Sequence, residues 1–511
     1  MDERGLTRRQ ALARISLAGA GVWLAGCGAG APRPPSPSGS TLSSTYVDPG
    51  GDGVLTVGPG APLTDRHDLA PAAALGSVLG TIAHLTDAHV MDSQSPARVP
   101  FLRRLGPPFN STFRPQEALT AHVLAGALAA VEELRPDAVI EGGDLIDNAQ
   151  GNELEQALAL LAGGVVDPGS GGPGYLGVQS AADPDPLYYR PDIDAPRHPG
   201  MLAAATRRFR APGLAVIPWY PVLGDHDTLV QGVLPPDPQT QSFALGRRAI
   251  WDLPPNLQST AGIAAGAAVT AGAGSSPDAL GAPGAIGELL ALTRAAPAVT
   301  VPADAARREL AVPEVLARLR GVSRAGGAGP LLDYSFDIGE RVRVIVLDLV
   351  RREGGSGGVV QPRQPRWLAD ELARTGERWV IVACHQPLTS SAGGETLLAL
   401  LDRHPRVLAA IWGHTHRNRV VPRASPAGGY WLVASSSLID FPQELRAMRV
   451  RETAGGGVAL EAWMLDHVPD GGLGDISRQL SYLDAQGGRP QGFAGGPLDR
   501  NVRLYKRAPR A

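Results

Sequence analysis

The sequence is poor in cysteine, lysine and aromatic residues. Two cysteines in 511 residues are too few for a disulfide framework, and we expect no disulfide. Lys506 is the only lysine, and the formal net charge of −3 argues against the clustered basic charge that nucleic-acid binding needs. The N-terminal apolar stretch, residues 15–26, is shorter than the roughly 20 residues of a permanent membrane helix. What the chain does contain is 43% hydrophobic residues, enough to bury a sizeable core.

The first 27 residues have the pattern of an export signal. The segment from Thr7 to Leu12 resembles a twin-arginine motif, and the segment from Leu24 to Cys27 resembles a bacterial lipobox. The lipobox implies that Cys27 is lipidated and anchors the chain to the outer face of the cell membrane. The alternative is a twin-arginine peptide that is cut elsewhere, with Cys27 present by chance. Both interpretations predict an extracytoplasmic protein.

Composition divides the rest of the chain into three segments. We predict a Pro/Gly/Ser-rich linker over residues 28–77, a catalytic domain over 78–468 and a loop-rich tail over 469–511. Within the domain, residues 163–200 and 255–330 are rich in small residues and are predicted to be long insertions, part helical and part disordered.

Apolar runs and helical spacing alternate along the domain. Apolar residues at three- and four-residue spacing predict a helix over 114–134. The runs predict strands over residues 78–85, 137–141, 219–223, 379–383 and 407–412, with two more between 334 and 349. This alternation indicates an α/β domain, and open α/β sheets bind their ligands beyond the carboxyl ends of their strands.

Five of these strands run into loops that carry carboxylates and imidazoles. The blocks are Asp87-x-His89, Gly143-Asp144-x-x-Asp147-Asn148, Gly224-Asp225-His226-Asp227, His385, and Gly413-His414-x-His416. Such groups beside buried strands are costly unless they are paired or bind metal. A set of carboxylates and imidazoles without thiolate is suited to Mn, Fe or Zn.

The five blocks, in this order, resemble the calcineurin-like metallophosphoesterase family over residues 78–440. The resemblance implies an α/β fold, a four-layer α-β-β-α sandwich with long loop insertions. It also implies two divalent or trivalent metal ions that hold a bridging hydroxide for hydrolysis of phosphomonoesters or phosphodiesters. The implied ligands are Asp87, His89 and His416 for the first ion, Asp144 as the bridge, and Asp225, His385 and His414 for the second.

The resemblance also implies roles beside the ions. His226 would face the phosphate, and Asp227 would orient its imidazole. Arg98 is a candidate for holding a phosphate oxygen, with a structural salt bridge as the alternative. Asn148 either contacts substrate or caps its turn, and Asp147 is expected to stabilise its loop. His84 and His122 are expected to be ordinary histidines, solvated or packed, and Cys384 is expected to be a small buried residue.

Three further segments, residues 92–98, 113–118 and 438–442, look like a subfamily of secreted actinobacterial metallophosphoesterases. One position departs from the family pattern, because Asp225 stands where asparagine is usual. A carboxylate can still bind the second ion, but it adds a negative charge that tightens metal binding and reduces the Lewis acidity felt by substrate. We therefore expect an altered metal preference or a slower site.

The expected substrate is a small-molecule or cell-envelope phosphoester, with no specific nucleic-acid binding; the oligomeric state is left open. Two alternatives remain. One is a non-catalytic surface lipoprotein that keeps its metal for structure, although such a protein has no need of His226. The other is a purple acid phosphatase, which would carry a tyrosine at the position of Asp147, so we expect no purple charge-transfer band.

Overall fold

The computed structural model describes residues 39–105, 112–214, 216–253, 293, 296–468, 472–486 and 492–509. The predicted export signal with Cys27, and linker residues 28–38, lie outside them. Within these ranges, no helix combines the length and hydropathy that crossing a membrane requires.

The strands are between 3 and 11 residues long. They are β1 (Ser44–Val47), β2 (Thr56–Pro59), β3 (Thr64–Arg66), β4 (Leu75–Leu85), β5 (Ala138–Glu141), β6 (Gly164–Val166), β7 (Phe209–Ala211), β8 (Trp219–Pro221), β9 (Arg248–Ile250), β10 (Ala298–Thr300), β11 (Tyr334–Ile338), β12 (Val342–Leu347), β13 (Trp379–Cys384), β14 (Val407–Trp412), β15 (Arg419–Arg423), β16 (Tyr430–Ala434), β17 (Glu444–Thr453), β18 (Val458–Asp466) and β19 (Val502–Lys506).

The α-helices lie between and around these strands. They are α1 (Thr120–Leu134), α2 (Gly151–Ala162), α3 (Met201–Ala205), α4 (Pro238–Ala244), α5 (Val312–Val322), α6 (Gln364–Ala373), α7 (Gly394–Leu401) and α8 (Leu473–Gln486). Short 3-10 helices occur at Pro96–Arg98, Pro100–Leu105, Glu117–Leu119 and Ala305–Arg307.

Two large sheets form the centre of the fold. The seven-stranded sheet has the order β3-β19-β18-β17-β4-β5-β8, and β4, β5 and β8 run parallel. The six-stranded sheet has the order β11-β12-β13-β14-β16-β15, and β12, β13, β14 and β16 run parallel. Three two-stranded sheets pair β1 with β2, β6 with β7, and β9 with β10.

The predicted four-layer α-β-β-α sandwich is confirmed. Alternate residues of β12 separate its two faces. Val344 and Val346 join the core shared with the seven-stranded sheet, whereas Ile345 and Leu347 join a core with α6 and α7. Helix α1 contacts β4, β17 and β18 of the other sheet. The strands expected before the five blocks are present as β4, β5, β8, β13 and β14.

Two segment boundaries are wrong. Residues 39–77, expected to be linker, contain β1, β2 and β3, and the expected loop-rich tail contains α8 and β19. Strand β3 pairs with β19 across more than 400 residues, so neither segment shows its pairing in a local pattern. The helix expected over 114–134 ends as predicted but begins at Thr120, after a 3-10 turn. Of the predicted insertion 255–330, residues 255–292 and 294–295 lie outside the described residues, and the rest includes β10 and α5.

Candidate metal centre

The seven predicted ligands lie at the carboxyl ends of parallel strands from both sheets. Strand β4 leads to Asp87 and His89, β5 to Asp144, β8 to Asp225, β13 to His385, and β14 to His414 and His416. All seven side chains are buried, with at most 2% of any residue exposed. Because parallel strands of two packed sheets end at a common edge, residues from five distant blocks meet in one place.

Five of these seven residues have a left-handed backbone. The φ angles are +53° for Asp87, +43° for His89, +52° for Asp144, +59° for His414 and +52° for His416. A non-glycine residue pays for this conformation, and such strain persists mainly where the surrounding structure fixes a functional site. The sharp turns aim side chains from the strand ends toward one another.

Three of the residues form the first group, Asp87, His89 and His416, whose potential ligand atoms lie within 4.8 Å of one another. His416 Nε2 is 3.2 Å from Asp87 Oδ1. The Asp87 carboxylate also accepts hydrogen bonds from the His414 backbone N–H at 3.0 Å and from the Thr86 hydroxyl at 2.6 Å. The loop after β14 is thereby tied to the loop after β4.

The other four residues form the second group, Asp144, Asp225, His385 and His414, with the same 4.8 Å limit. Asp225 Oδ1 lies 3.3 Å from His385 Nε2 and 3.2 Å from His414 Nδ1. His385 Nε2 is also 2.9 Å from Asp144 Oδ2. Two carboxylates and two imidazoles thus converge on one small volume.

Asp144 lies between the two groups. Its Oδ2 is 2.9 Å from His385 Nε2 in the second group and 3.8 Å from His89 Nε2 in the first. Its Oδ1 accepts a hydrogen bond from the His226 backbone N–H at 2.9 Å. One oxygen therefore fixes the side chain, and the other faces both groups, as the predicted bridging role requires.

The tautomers of three imidazoles follow from their partners. The contacts are His385 Nδ1 to the Gly142 carbonyl oxygen at 2.8 Å, His416 Nδ1 to Asp440 Oδ2 at 2.7 Å, and His89 Nδ1 to Asp147 Oδ1 at 3.1 Å. A carbonyl oxygen or a carboxylate only accepts, so each Nδ1 carries a hydrogen and each Nε2 faces the carboxylates of the groups, with its lone pair available when a metal ion replaces a proton there. Metal-binding histidines are usually held in this way.

These distances fit metal ions. Ligand atoms about 2.1 Å from a common ion lie about 3.0 to 3.4 Å apart for right-angled to tetrahedral geometry. The separations of 2.9, 3.2 and 3.3 Å within the groups are close to that range. A lone pair that faces a carboxylate oxygen at such a distance is repulsive unless a proton or a metal ion lies between them.

The buried carboxylates and imidazoles of the centre stabilise each other's charged forms. Burial raises the pKa of Asp87 and of Asp225, but the neighbouring imidazoles outweigh it and hold both pKa values below the usual range. Burial lowers the pKa of His385, yet the carboxylates around it, Asp144 first, hold that pKa well above its ordinary value. Besides their hydrogen bonds, these carboxylates are stabilised by positive charge among the imidazoles, which protons or bound metal ions can supply.

His226 lies beside this centre, but its orienting partner is not the expected one. Its Nδ1 contacts the Asp147 carbonyl oxygen at 2.7 Å, so Nδ1 carries the hydrogen. Asp227 Oδ1 accepts from the Leu145 backbone N–H, and its Oδ2 accepts from the Gly224 and Asp144 N–H groups, at 2.8 to 3.1 Å. The prediction that Asp227 orients His226 is therefore corrected: Asp227 fixes the loop that carries Asp144. Main-chain contacts of this kind leave no sequence pattern.

Arg98 and Asn148, the predicted substrate residues, belong to a buried network. Arg98 Nη1 is 2.5 Å from Asp147 Oδ2, and its Nη2 is 3.1 Å from Glu117 Oε2. Asn148 donates to Asp147 Oδ2 at 3.0 Å and accepts from the Gln231 backbone N–H at 3.0 Å. Arg98 and Asn148 are 2% and 0% exposed. The geometry favours the structural alternative for both, and Asp147 stabilises its loop as expected.

Two residues that sequence reasoning missed contact the centre. Asp440 accepts from His416 Nδ1 and, at 2.9 Å, from Arg114 Nε. Both Asp440 and Arg114 lie in segments that were singled out for their resemblance, without a role. Gln386 donates its Nε2 hydrogen to Asp225 Oδ1 at 2.9 Å, and only its place directly after His385 marks it in the sequence.

The residues expected to be ordinary are packed in the core. His84 Nδ1 contacts the Ser435 hydroxyl at 2.9 Å, and burial lowers the pKa of His84 to about 3. His122 stacks on Phe209 with ring centroids 4.3 Å apart. Cys384 is buried, and burial raises its thiol pKa to about 12, which makes it a poor nucleophile.

Comparison with known proteins matches part of this chain to a family. Residues 330–418 match the family model described as calcineurin-like phosphoesterase. This stretch carries His385, His414 and His416, and the other four predicted ligands precede it. The chain therefore contains a metallophosphoesterase-like domain with candidate metal-binding clusters. Among curated protein sequences, none matches this chain.

Two solved structures are similar at low identity. A dimetal phosphatase from Danio rerio has 14% identity and a TM-score of 0.37, and the alignment covers 77% of this chain and 98% of that one. A sulfate thiohydrolase, SoxB, from Thermus thermophilus in complex with glycerol has 14% identity and a TM-score of 0.28, with 82% of this chain and 61% of that one covered. Neither likeness bears on the substrate of this chain.

Proposed function

We propose that this protein is an exported, dinuclear-metal phosphoesterase that hydrolyses phosphomonoesters or phosphodiesters. The observation that carries the proposal is the position of Asp144, whose Oδ2 faces His385 of one ligand group and His89 of the other. A group of three residues and a group of four, with one carboxylate facing both, are suited to a pair of ions rather than to a single ion. The match to the calcineurin-like phosphoesterase family supports a hydrolase.

When bound, two metal ions would supply a water nucleophile of lowered pKa and neutralise charge on the phosphate. Asp87, His89 and His416 would hold one ion, and Asp225, His385 and His414 the other, with Asp144 shared. Mn, Fe or Zn fit this oxygen and nitrogen set. The Asp147 side chain is tied to Arg98 and His89, which supports the expectation that no purple charge-transfer band appears.

His226 is the proposed acid for the leaving group. The Asp147 carbonyl holds the hydrogen of Nδ1, so the proton that the imidazole exchanges is on Nε2. A methyl group added at Gly232 would lie 2.5 Å from His226 Nε2 and 2.7 Å from Asp225 Oδ2. His226 Nε2 and Asp225 Oδ2 therefore both lie against Gly232, an arrangement that would let His226 donate its Nε2 proton to the leaving oxygen of an ester held at the second ligand group.

The test is metal-dependent hydrolysis of an aryl phosphate and a bis-aryl phosphate by the full chain. We expect activity to be lost on metal removal and restored by Mn²⁺ or Zn²⁺. His226→Ala should lose about 100-fold or more in kcat with both ions retained, whereas His404→Ala, a half-buried histidine elsewhere, should keep its activity. Two bound ions without turnover on either substrate would instead support the surface metal-binding protein, and full activity of His226→Ala would refute the role of His226.

The proposal includes a location outside the cytoplasm. The support is the twin-arginine pattern at Arg8 and Arg9 and the lipobox ending at Cys27, which would anchor the chain at the outer face of the cell membrane. The subfamily of secreted actinobacterial metallophosphoesterases remains the proposed relative. A substrate in the cell envelope or outside the cell is consistent with that location.

A further inference from the structure

Gln386 contacts the candidate centre through one of its ligand atoms. Its Nε2 lies 2.9 Å from Asp225 Oδ1, the same oxygen that lies 3.2 Å from His414 Nδ1 and 3.3 Å from His385 Nε2. Gln386 and Asp225 are each 1% exposed. A neutral amide therefore shares the oxygen that faces both imidazoles of the second group.

The orientation of this amide is determined by charge. With the amide turned over, Gln386 Oε1 would face the Asp225 carboxylate, and two acceptors would repel. The stem of Gln386 is also confined, because a methyl group added at Gly358 would lie 2.8 Å from Gln386 Cβ. The N–H end of the amide is thus fixed toward Asp225.

Asp225 adds a third carboxylate to a centre that already has Asp87 and Asp144. Among the described residues, its ion pairs are with His385 and His414 and not with any arginine. Buried negative charge is costly without a compensating donor. The Gln386 N–H is a donor that brings no net charge, so it offsets Asp225 without opposing a metal ion.

We propose that Gln386 is a positioning residue that fixes the side-chain rotamer of Asp225, with Oδ1 turned toward His385 and His414. This sets the affinity of the second group for its ion. The inference rests on the proposed function, since it concerns the second metal ion. Partners that hydrogen-bond a metal ligand typically change metal affinity or activity by about 10- to 100-fold when removed.

The test is calorimetric titration of Mn²⁺ into the metal-stripped full chain and its variants. Gln386→Leu keeps the volume and removes the N–H, and we expect one of two Mn²⁺ dissociation constants to rise about 10- to 100-fold. Gln386→Glu places a second carboxylate against Asp225 and should weaken that site further.

The control is Gln364→Leu. Gln364 is also buried and also donates to an aspartate, Asp333 Oδ1 at 2.9 Å, but it lies at the start of α6. The Gln364→Leu variant should have a lower midpoint of thermal unfolding and unchanged Mn²⁺ dissociation constants. Both dissociation constants within twofold of the parent in Gln386→Leu would overturn the proposal. If Gln386→Glu does not fold, Gln386→Leu decides alone.

Failure of the proposed function is a separate result. If the parent binds two Mn²⁺ ions and the variants shift one of them, the role of Gln386 stands even when no phosphoester is hydrolysed. If the parent binds no Mn²⁺, the dinuclear centre is wrong, and the role of Gln386 is wrong with it.

Discussion

The residues of the centre combine strained backbone, complete burial and opposed charges. Five of the seven have positive φ, and carboxylate oxygens of the centre lie 2.9 to 3.3 Å from imidazole nitrogens. The sequence predicts which residues meet, because each follows an apolar strand. It does not predict that the Asp147 carbonyl holds His226 or that Asp227 caps a loop, because those contacts run through the main chain.

Gly232 is a residue whose lack of a side chain is required by the centre. It has a φ of +67°, and an added Cβ would lie 2.4 Å from His226 Cδ2 and 2.7 Å from Asp225 Oδ2. We predict that Gly232→Ala lowers kcat/KM by at least about tenfold by displacing His226, beyond the 1–2 kcal/mol or so of backbone strain. Steady-state kinetics with a thermal melt measure both effects.

The matched control is Gly200→Ala, which has a similar φ of +78° and open space at the added Cβ. It should show the strain without the kinetic loss. Equal kcat/KM for the two variants would mean that Gly232 does not border the reacting groups.

A substitution at Arg98 distinguishes a structural role of this residue from a role in substrate binding. Its guanidinium is buried between Asp147 and Glu117. Removing one partner of a buried pair leaves an uncompensated charge, so Arg98→Met should cost about 3 to 5 kcal/mol in the free energy of unfolding. Chemical denaturation measures this loss of unfolding free energy. The control is Arg208→Met, because the ion pair of Arg208 with Asp167 is exposed and contributes about 0 to 1 kcal/mol. A raised KM with unchanged stability would instead make Arg98 a substrate residue.

At the scale of elements, the sequence predicts strands that have a local apolar pattern and misses strands that depend on pairing with distant residues. Strands β4, β5, β13 and β14 are apolar runs with ligands at their ends, and each was expected. Strand β3 has three residues and pairs with β19, and β19 has five residues and also pairs with β18. Their contribution to the seven-stranded sheet depends on contacts that no short window of sequence contains.

The C-terminal strand β19 is a structural element and not a loose tail. Leu504 is fully buried and faces Leu460 of β18 in the strand register. Leu504→Ala should cost about 2 to 5 kcal/mol in the free energy of unfolding, because it removes buried apolar groups and leaves a cavity. Leu498→Ala, at a position that is 51% exposed, is the control and should cost little. A change below about 0.5 kcal/mol at Leu504 would contradict the packing of β19.

At the scale of the whole molecule, the proposed metal centre is consistent with the proposed export signal. A centre assembled from strands of two sheets forms only when the sandwich folds, and twin-arginine export suits a protein that folds around its metal before it leaves the cytoplasm. The signal is recognised by a receptor through its arginine pair and not through its charge.

The paired substitution Arg8→Lys with Arg9→Lys should therefore keep the protein in the cytoplasmic fraction at unchanged charge. Cell fractionation with immunodetection measures the distribution. Arg4→Lys with Arg14→Lys makes the same number of changes outside the motif and should leave the protein in the membrane fraction. An unchanged distribution of the first variant would count against twin-arginine export.

The central claim is a pair of ions joined by Asp144, and anomalous diffraction from Mn²⁺-loaded crystals of the protein tests it most directly. We predict two anomalous peaks about 3.5 to 4 Å apart, one beside Asp87, His89 and His416 and the other beside Asp225, His385 and His414, with the Asp144 carboxylate in contact with both. A single peak, or peaks away from these seven residues, would contradict the account.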